Sequence, residues 1–246
     1  MTIQSTVKLT DDQEKAMALI REGKRHTLLY GGSRSGKTFL IVLCIVLRAL
    51  IFPGSRHLIY RLRLKDVDAS IWMETLPDVI ACFPGLSNII KTNEQKHIMF
   101  FPNGSQIWCY GVDDVRNYDS VLGKEYATVY PNEASQIPYM TVWKVRTRLC
   151  QKISGCVNRE FIDLNPPSIA HWTAKEVIKK IDPIKSKPGS VYPLKHPEDF
   201  AWMQLNPEGN KENLDDAYLE TLRNAPDSMK KRFYLGEYTT DNSLLV

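Results

Sequence analysis

Apolar and polar residues alternate along this chain in blocks of two different periods. Thr10-Asp11-Asp12-Gln13 sets short acceptor side chains ahead of EKAMALIREG, the pattern of a capped helix that Gly23 closes. Residues 26–30 (HTLLY) are a short apolar run ending on a glycine loop, and the loop leads into an apolar helical stretch over residues 37–50. A second apolar run at 57–61 (HLIYR) follows the break at Pro53-Gly54, and residues 65–76 read as helical. Residues 97–110 (HIMFFPNGSQIWCY) form two strand-like runs around Asn103-Gly104, a strong hairpin signal. Residues 126–130 (YATVY) predict a strand ending at Pro131-Asn132-Glu133-Ala134, residues 139–151 a helix, and residues 160–164 (EFIDL) a strand ending at Asn165-Pro166-Pro167.

Strands that alternate with helices predict an α/β fold, a mainly parallel sheet with helices on both faces, here with a β-hairpin insertion. In such sheets ligands gather at the carboxyl ends of the strands. After Asp182 the texture changes to turns rich in Pro and Lys (DPIKSKPGS), a short run at 191–194, and helical patterns at 213–224 and 226–235. The expected organisation is a core over residues 1–182, a small C-terminal helical cap of the same domain over 183–238, and the start of a linker at 239–246.

Composition narrows the class without choosing a function. Of 246 residues 43% are hydrophobic and 24% charged, which excludes disorder as the default and gives one sizeable core or two small ones. A net charge of +4 permits contact with a polyanion but falls short of a DNA-coating protein. The five cysteines form no CxxC and have no nearby His pair at ligand spacing, so a reduced, cytosolic setting without structural zinc is expected. The most apolar stretch, FLIVLCIVLRALIF, is shorter than the roughly 20 residues that span a bilayer and carries Arg48. It reads as a buried core helix, and with no signal-peptide pattern at the N-terminus the chain is expected in the cytoplasm, away from membranes.

Gly31-Gly32-Ser33-Arg34-Ser35-Gly36-Lys37-Thr38 matches G-x-x-x-x-G-K-[ST] in full, between a strand-like run and a helix. Glycines let the backbone curl so that successive N–H groups face phosphate oxygens, and the helix N-terminus adds partial positive charge. Lys37 is expected on the β- and γ-phosphates of ATP and Thr38 on Mg²⁺ through its hydroxyl, in a P-loop NTPase of the RecA-like kind. Arg34 either touches the γ-phosphate or a neighbouring subunit, or is an ordinary exposed loop arginine.

Glu133 follows the 126–130 strand where a carboxylate can orient and deprotonate the attacking water; the alternative is a helix cap. Asn132 stands in the place of the usual aspartate and is expected to act on the metal through a water, bringing no charge. Candidates for a transition-state arginine are Arg116, Arg146 and Arg148, with Lys124 a weaker one.

Taken together, these motifs resemble the large terminase subunit of tailed bacteriophages. The resemblance rests on Gly31 to Thr38, on residues 121–138 (VLGKEYATVYPNEASQIP), on 163–168 (DLNPPS) with His171-Trp172, and on 204–207 (QLNP) and 232–238 (RFYLGEY). It implies an ATP-hydrolysing motor domain that drives double-stranded DNA into a viral procapsid, acting as a ring on the portal protein with a small terminase subunit, in the host cytoplasm. It also implies that Asn165 senses the γ-phosphate and that Gln13 recognises adenine. Where some terminases carry a trans-acting arginine before a glycine, this chain has Leu122-Gly123, so the resemblance leaves that residue unassigned. Only Glu237 and Asp241 follow the last helical pattern as acidic residues, and no nuclease activity is expected of this stretch. The competing readings are another P-loop nucleic-acid translocase or helicase-like ATPase, and a nucleotide-dependent assembly module that does not hydrolyse.

Overall fold

Thr10 opens the first helix by the means its sequence suggests. Its hydroxyl accepts from the Gln13 N–H while the Gln13 side chain accepts from the Thr10 N–H, so α1 runs Asp11–Arg21 from a capping box. Gly23, at φ 85°, closes it in the left-handed conformation that glycine adopts without strain. The computed structural model describes residues 5–240, the side chains of residues 115–117 excepted, so Arg116 as a side chain and the expected linker residues 241–246 with Asp241 lie outside the described residues.

In chain order the strands are β1 (His26–Gly31), β2 (Arg56–Arg61), β3 (Lys91–Asn93), β4 (Ile98–Phe100), β5 (Gln106–Gly111), β6 (Thr128–Pro131), β7 (Arg159–Leu164) and β8 (Phe200–Leu205). After α1 the helices are α2 (Lys37–Ile51), α3 (Leu64–Val67), α4 (Leu76–Ala81), α5 (Val115–Leu122), α6 (Tyr139–Arg146), α7 (Asp216–Arg223) and α8 (Asp227–Met229). A π-helical run, Asp68–Thr75, joins α3 to α4. The chain divides into two compact units, Met1–Lys8 with Thr38–Phe161 and Leu9–Lys37 with Ile162–Val246, and β7 crosses the division.

In the first unit β2 pairs in parallel with β5 and with β6, β6 pairs in parallel with β7, and β4 pairs antiparallel with β3 and β5. Every residue of β6 and the four central residues of β2 are buried, as strands covered on both faces must be. β5 instead alternates, with Ile107 and Cys109 buried and Trp108 and Tyr110 partly exposed. The Asn103-Gly104 turn forms as its sequence predicts, with Gly104 at φ 82°. Asn103 also donates through Nδ2 to the carbonyls of Ala49 (2.8 Å) and Leu50 (3.1 Å), tying the hairpin to the end of α2. The hairpin is therefore integral to the sheet, since its second strand is a parallel neighbour of β2. Most of α2 is buried, including Leu40, Ile41, Val42, Ile45, Val46 and Ala49. Among the described residues no helix is long and apolar enough to cross a membrane.

In the second unit β1, buried throughout, pairs in parallel with β8 in the register His26 to Phe200 through Gly31 to Leu205. The ring of His26 stacks on Phe200 at 4.5 Å. The stretch after residue 182 thus contributes a strand as well as helices. That strand lies at Phe200–Leu205, whereas the apolar run at 191–194 remains outside any strand. The pairing partner decides: β1 offers a parallel edge to a segment whose own pattern is weak.

Three further local differences have plain causes. The helix expected over 139–151 ends at Arg146 because the chain beyond it turns to pair with Tyr126, whose N–H donates to the Arg148 carbonyl at 2.8 Å and whose carbonyl accepts from Gln151 N–H at 3.3 Å. α5 is amphipathic but only eight residues long, and β3 has three, so both are shorter than the window in which a period can be read from sequence. The fold class is α/β with a mainly parallel sheet, as the block pattern predicts.

Candidate functional site

In the second unit the loop between β1 and α2 is held from several sides. Gly31, at φ 144°, passes so close to β8 that a Cβ there would run into the Leu205 carbonyl oxygen. Gly36, at φ 80°, would place a Cβ 2.5 Å from Gln13 Nε2. Both positions therefore require glycine for packing as well as for backbone freedom. The Gly32 N–H donates to Leu205 O (3.1 Å) and Asn206 Oδ1 (3.2 Å), and the Ser33 N–H donates to Phe233 O (2.8 Å). Asn210 Nδ2 donates to the Arg34 carbonyl at 2.8 Å, and Gln13 Nε2 donates to the Gly36 carbonyl at 3.2 Å. Arg34 itself is exposed and sits at φ 51°.

Lys37, 6% exposed, lies within this cradle. Its Nζ donates to Gly32 O at 2.6 Å and to Ser35 Oγ at 2.9 Å, with Gly31 O and Asn165 Oδ1 each at 3.4 Å. Ser35 Oγ in turn donates to Gly32 O at 3.0 Å. Four oxygens thus surround one ammonium, and Asn165, at the end of β7, is one of them. Gln13 is 4% exposed and held at both ends of its amide, by the Thr10 N–H and the Gly36 carbonyl. It braces the loop from the start of α1.

In the first unit Thr38, on the first turn of α2, faces the end of β6. Asn132, 2% exposed, has its Nδ2 2.9 Å from the Tyr130 hydroxyl and 3.5 Å from Thr38 Oγ1. A tyrosine hydroxyl can donate as well as accept, so this contact by itself admits either orientation of the amide, including the one that places Oδ1 beside Thr38. Neutral oxygen donors of this kind suit a hard cation that keeps most of its waters and takes further oxygens from phosphate. Among the described residues no cluster of three or more His, Cys, Asp or Glu offers a separate metal site.

Glu133 follows Asn132 at φ 52° and ψ 50°, a left-handed conformation unusual for a residue with a side chain. It precedes a short 3₁₀ turn, Ala134–Gln136, and its side chain makes no capping hydrogen bond to that turn. The capping alternative therefore has no support in the geometry. Strained backbone of this kind clusters where the surrounding structure fixes a side chain for a purpose.

The arginine candidates separate. Arg146 Nε donates to both carboxylate oxygens of Glu160, at 2.9 and 2.8 Å, and Glu160 is fully buried on β7. Arg146 is thereby committed within its own unit. Arg148 is partly exposed and its Nε reaches Thr147 Oγ1 at 3.1 Å, while Lys124 lies 5.9 Å above the Trp108 ring. Neither is brought to Lys37 or Glu133 by any contact within its unit. Two supports of the loop had no role assigned from sequence: Asn206, which enters there only as part of the 204–207 stretch that carries the resemblance, and Asn210.

A family model described as phage terminase large subunit matches residues 23–196. In structure the chain is similar to the large terminase of a thermophilic bacteriophage, with a TM-score of 0.75 and 15% identity over 95% of this chain and 54% of that one. It is similar to the large terminase ATPase domain of Thermus phage P74-26, with a TM-score of 0.66 and 17% identity over 94% of each chain. The large terminase of bacteriophage HK97 matches with a TM-score of 0.60 and 12% identity, covering 94% of this chain and 51% of that one. The chain thus spans about half the length of the thermophilic-phage and HK97 proteins. Solved structures of the thermophilic-phage protein include complexes with ADP and with ATP-gamma-S. No curated protein sequence matches this chain.

Proposed function

Because this chain belongs to the phage terminase large-subunit family, we propose that it hydrolyses ATP and couples that hydrolysis to moving double-stranded DNA into a viral procapsid. The observation that carries the hydrolytic part is the backbone of Glu133, held left-handed directly after the Asn132 that reaches Thr38. In this reading Gly31 to Thr38 cradle the phosphates and Lys37 exchanges its contact with Gly32 O for β- and γ-phosphate oxygens. Mg²⁺, where bound, neutralises charge on those oxygens, and Thr38 and Asn132 are the residues that would hold it. The Glu133 carboxylate orients the attacking water and accepts its proton. Asn165, already within reach of Lys37 Nζ, registers whether the γ-phosphate is present and passes that on through β7. Gln13 supports the loop from behind, and any contact it makes with adenine is made from that position.

The transition-state arginine is assigned to a neighbouring copy in a ring on the portal protein, with the small terminase subunit delivering DNA. Arg34, Arg116 and Arg148 remain the candidates on this chain, Arg146 being held by Glu160. An active site completed in trans turns over slowly as a monomer, so turnover should rise with protein concentration.

Steady-state ATP turnover of the wild type, Lys37→Ala and Glu133→Ala tests the hydrolytic reading. Removing the base should lower kcat by about 10²–10⁴-fold, and Lys37→Ala should also weaken nucleotide binding. Wild-type turnover indistinguishable from both variants would overturn it and favour a nucleotide-dependent assembly module, the reading that the uncharged Asn132 invites.

A further inference from the structure

In the second unit the chain from Lys179 to His196 carries five lysines and one aspartate, a net +4 with histidine neutral. The whole chain has a net charge of +4, so the remaining residues are balanced and the excess positive charge sits in this one segment. Charge this concentrated is often a solvated loop, but here the segment is a hairpin held by its own hydrogen bonds. Lys187 and Ser190 exchange both backbone hydrogen bonds at 2.9 Å across a tight turn, with Gly189 at φ 82°. Asp182 Oδ1 accepts from the N–H groups of Ile184 and Lys185 at 2.9 Å, and the Asp182 N–H donates to Tyr192 O at 2.8 Å. Ser186, buried, donates through Oγ to Tyr192 O and accepts from the Tyr192 N–H. At the base, Lys180 Nζ donates to the carbonyls of Pro197 (2.6 Å) and Phe200 (2.7 Å), which ties the hairpin to β8.

What this scaffold presents outward is Lys185, Lys187 and Lys195, all exposed, between Ile184, Val191 and Tyr192, which are 56%, 65% and 49% exposed. A backbone ordered in advance holds cations and an aromatic ring in solvent without the ordering cost a flexible loop would meet on binding. Asp182 commits its Oδ1 to the turn, and its Oδ2 comes only to 3.9 Å of Lys185. We propose that this hairpin is a contact surface for the phosphate backbone of duplex DNA, with Lys185, Lys187 and Lys195 on phosphates and Tyr192 against the sugar edge. Lysine acts as a point charge without the bidentate fork that reads base edges, so the contact is independent of sequence. That is what a motor moving along arbitrary DNA requires. The inference rests on the DNA-moving function proposed above and adds the surface that would touch the DNA.

The test is fluorescence anisotropy of a random-sequence duplex with the chain, as a function of salt, for the wild type, a triple Lys185→Ala/Lys187→Ala/Lys195→Ala variant and the matching triple arginine variant. Loss of three phosphate contacts should reduce the slope of log K against log salt by about 2.7. Between roughly 50 and 200 mM salt the wild type should then lose about 40-fold more affinity than the alanine variant. The arginine variant should keep the wild-type slope, which separates lost charge from a damaged turn. An alanine variant with the wild-type slope overturns the hairpin assignment and leaves the surface to an acidic protein partner. No duplex binding by the wild type overturns the DNA-moving reading together with it. A melting shift with nucleotide that is the same for wild type and variant shows that the second unit is intact, so the slope reports on the hairpin alone.

Discussion

At Glu133 stability and activity pull in opposite directions. A side chain held at φ 52° costs on the order of 1 kcal/mol that glycine would not. Glu133→Gly relieves that strain but adds about 0.4–1 kcal/mol of unfolded-chain entropy, so the free energy of unfolding should hold steady or rise by up to about 0.5 kcal/mol while ATP turnover is lost. Urea denaturation beside a turnover assay checks both halves. A variant that loses stability along with activity would mean that the carboxylate's own contacts outweigh the backbone strain. The sequence made Glu133 visible by its place after a strand, yet nothing in the residue type announces a left-handed backbone, which only the packing of β6 and the following turn imposes. Gln13 shows the same division. Its place in a capping box is local and legible, whereas its bond to Gly36 joins residues 23 apart and follows from how the second unit folds. Arg146 was one of three comparable arginines until β7 brought Glu160 against it. Removing one partner of such a buried pair leaves a charge without compensation, so Arg146→Met alone should cost about 3–5 kcal/mol. Arg146→Met with Glu160→Met should recover most of that in the same denaturation experiment, and failure to recover would assign Arg146 a role beyond this pair.

The elements most legible in sequence were those whose signal is local: the capped α1, the glycine loop into α2, and the Asn-Gly hairpin. Less legible was a polar latch that joins α2, β2 and β6 inside the first unit. Arg48, the one charge in the apolar stretch of α2, donates through Nε to Thr128 Oγ1 at 2.8 Å and through Nη2 to the Val157 carbonyl at 2.7 Å. Thr128 Oγ1 also meets His57 Nδ1 at 2.8 Å, and His57 Nε2 meets Ser55 Oγ at 2.8 Å. With two acceptor positions and one proton, the Thr128 hydroxyl accepts from Arg48 and meets His57 Nδ1 in either tautomer, while the Ser55 hydroxyl serves Nε2 in the complementary role. Burial first, then the Arg48 cation, pushes the His57 pKa down from 6.5 to about 3. Between those values the unfolded chain binds a proton that the folded chain refuses, so stability rises with pH across that window and is unaffected by His57 above it. This single group should contribute a slope of up to about 1.4 kcal/mol per pH unit. His57→Gln should flatten the acid limb of unfolding free energy against pH by that amount, and an unchanged slope would show that His57 is not buried as neutral imidazole.

Across the whole molecule, the division into two compact units cuts the chain between Lys37 and Thr38, before the last residue of the phosphate-loop motif. Sequence reading could find that motif because its residues are consecutive, but it could not find β8, whose pairing with β1 joins segments more than 170 residues apart. It also could not assign Asn206 and Asn210 their part in bracing the loop from beyond β8. In the function proposed above, holding the nucleotide falls to Lys37 and hydrolysing it to Glu133, so substitution should separate the two. A ligand that binds only the folded state stabilises it by about 2.7 kcal/mol at a hundred times its Kd. For a chain of this size that corresponds to a rise in Tm of roughly 5–10 °C. With the Mg²⁺ complex of a slowly hydrolysed ATP analogue, the wild type and Glu133→Ala should show the same rise, and Lys37→Ala should show little or none. Loss of the rise in Glu133→Ala would mean that the carboxylate helps to hold the nucleotide, and its role as the base would then need to be argued from turnover alone. Retention of the full rise in Lys37→Ala would remove the lysine from the phosphate site and leave its ammonium as a brace for the loop oxygens around it.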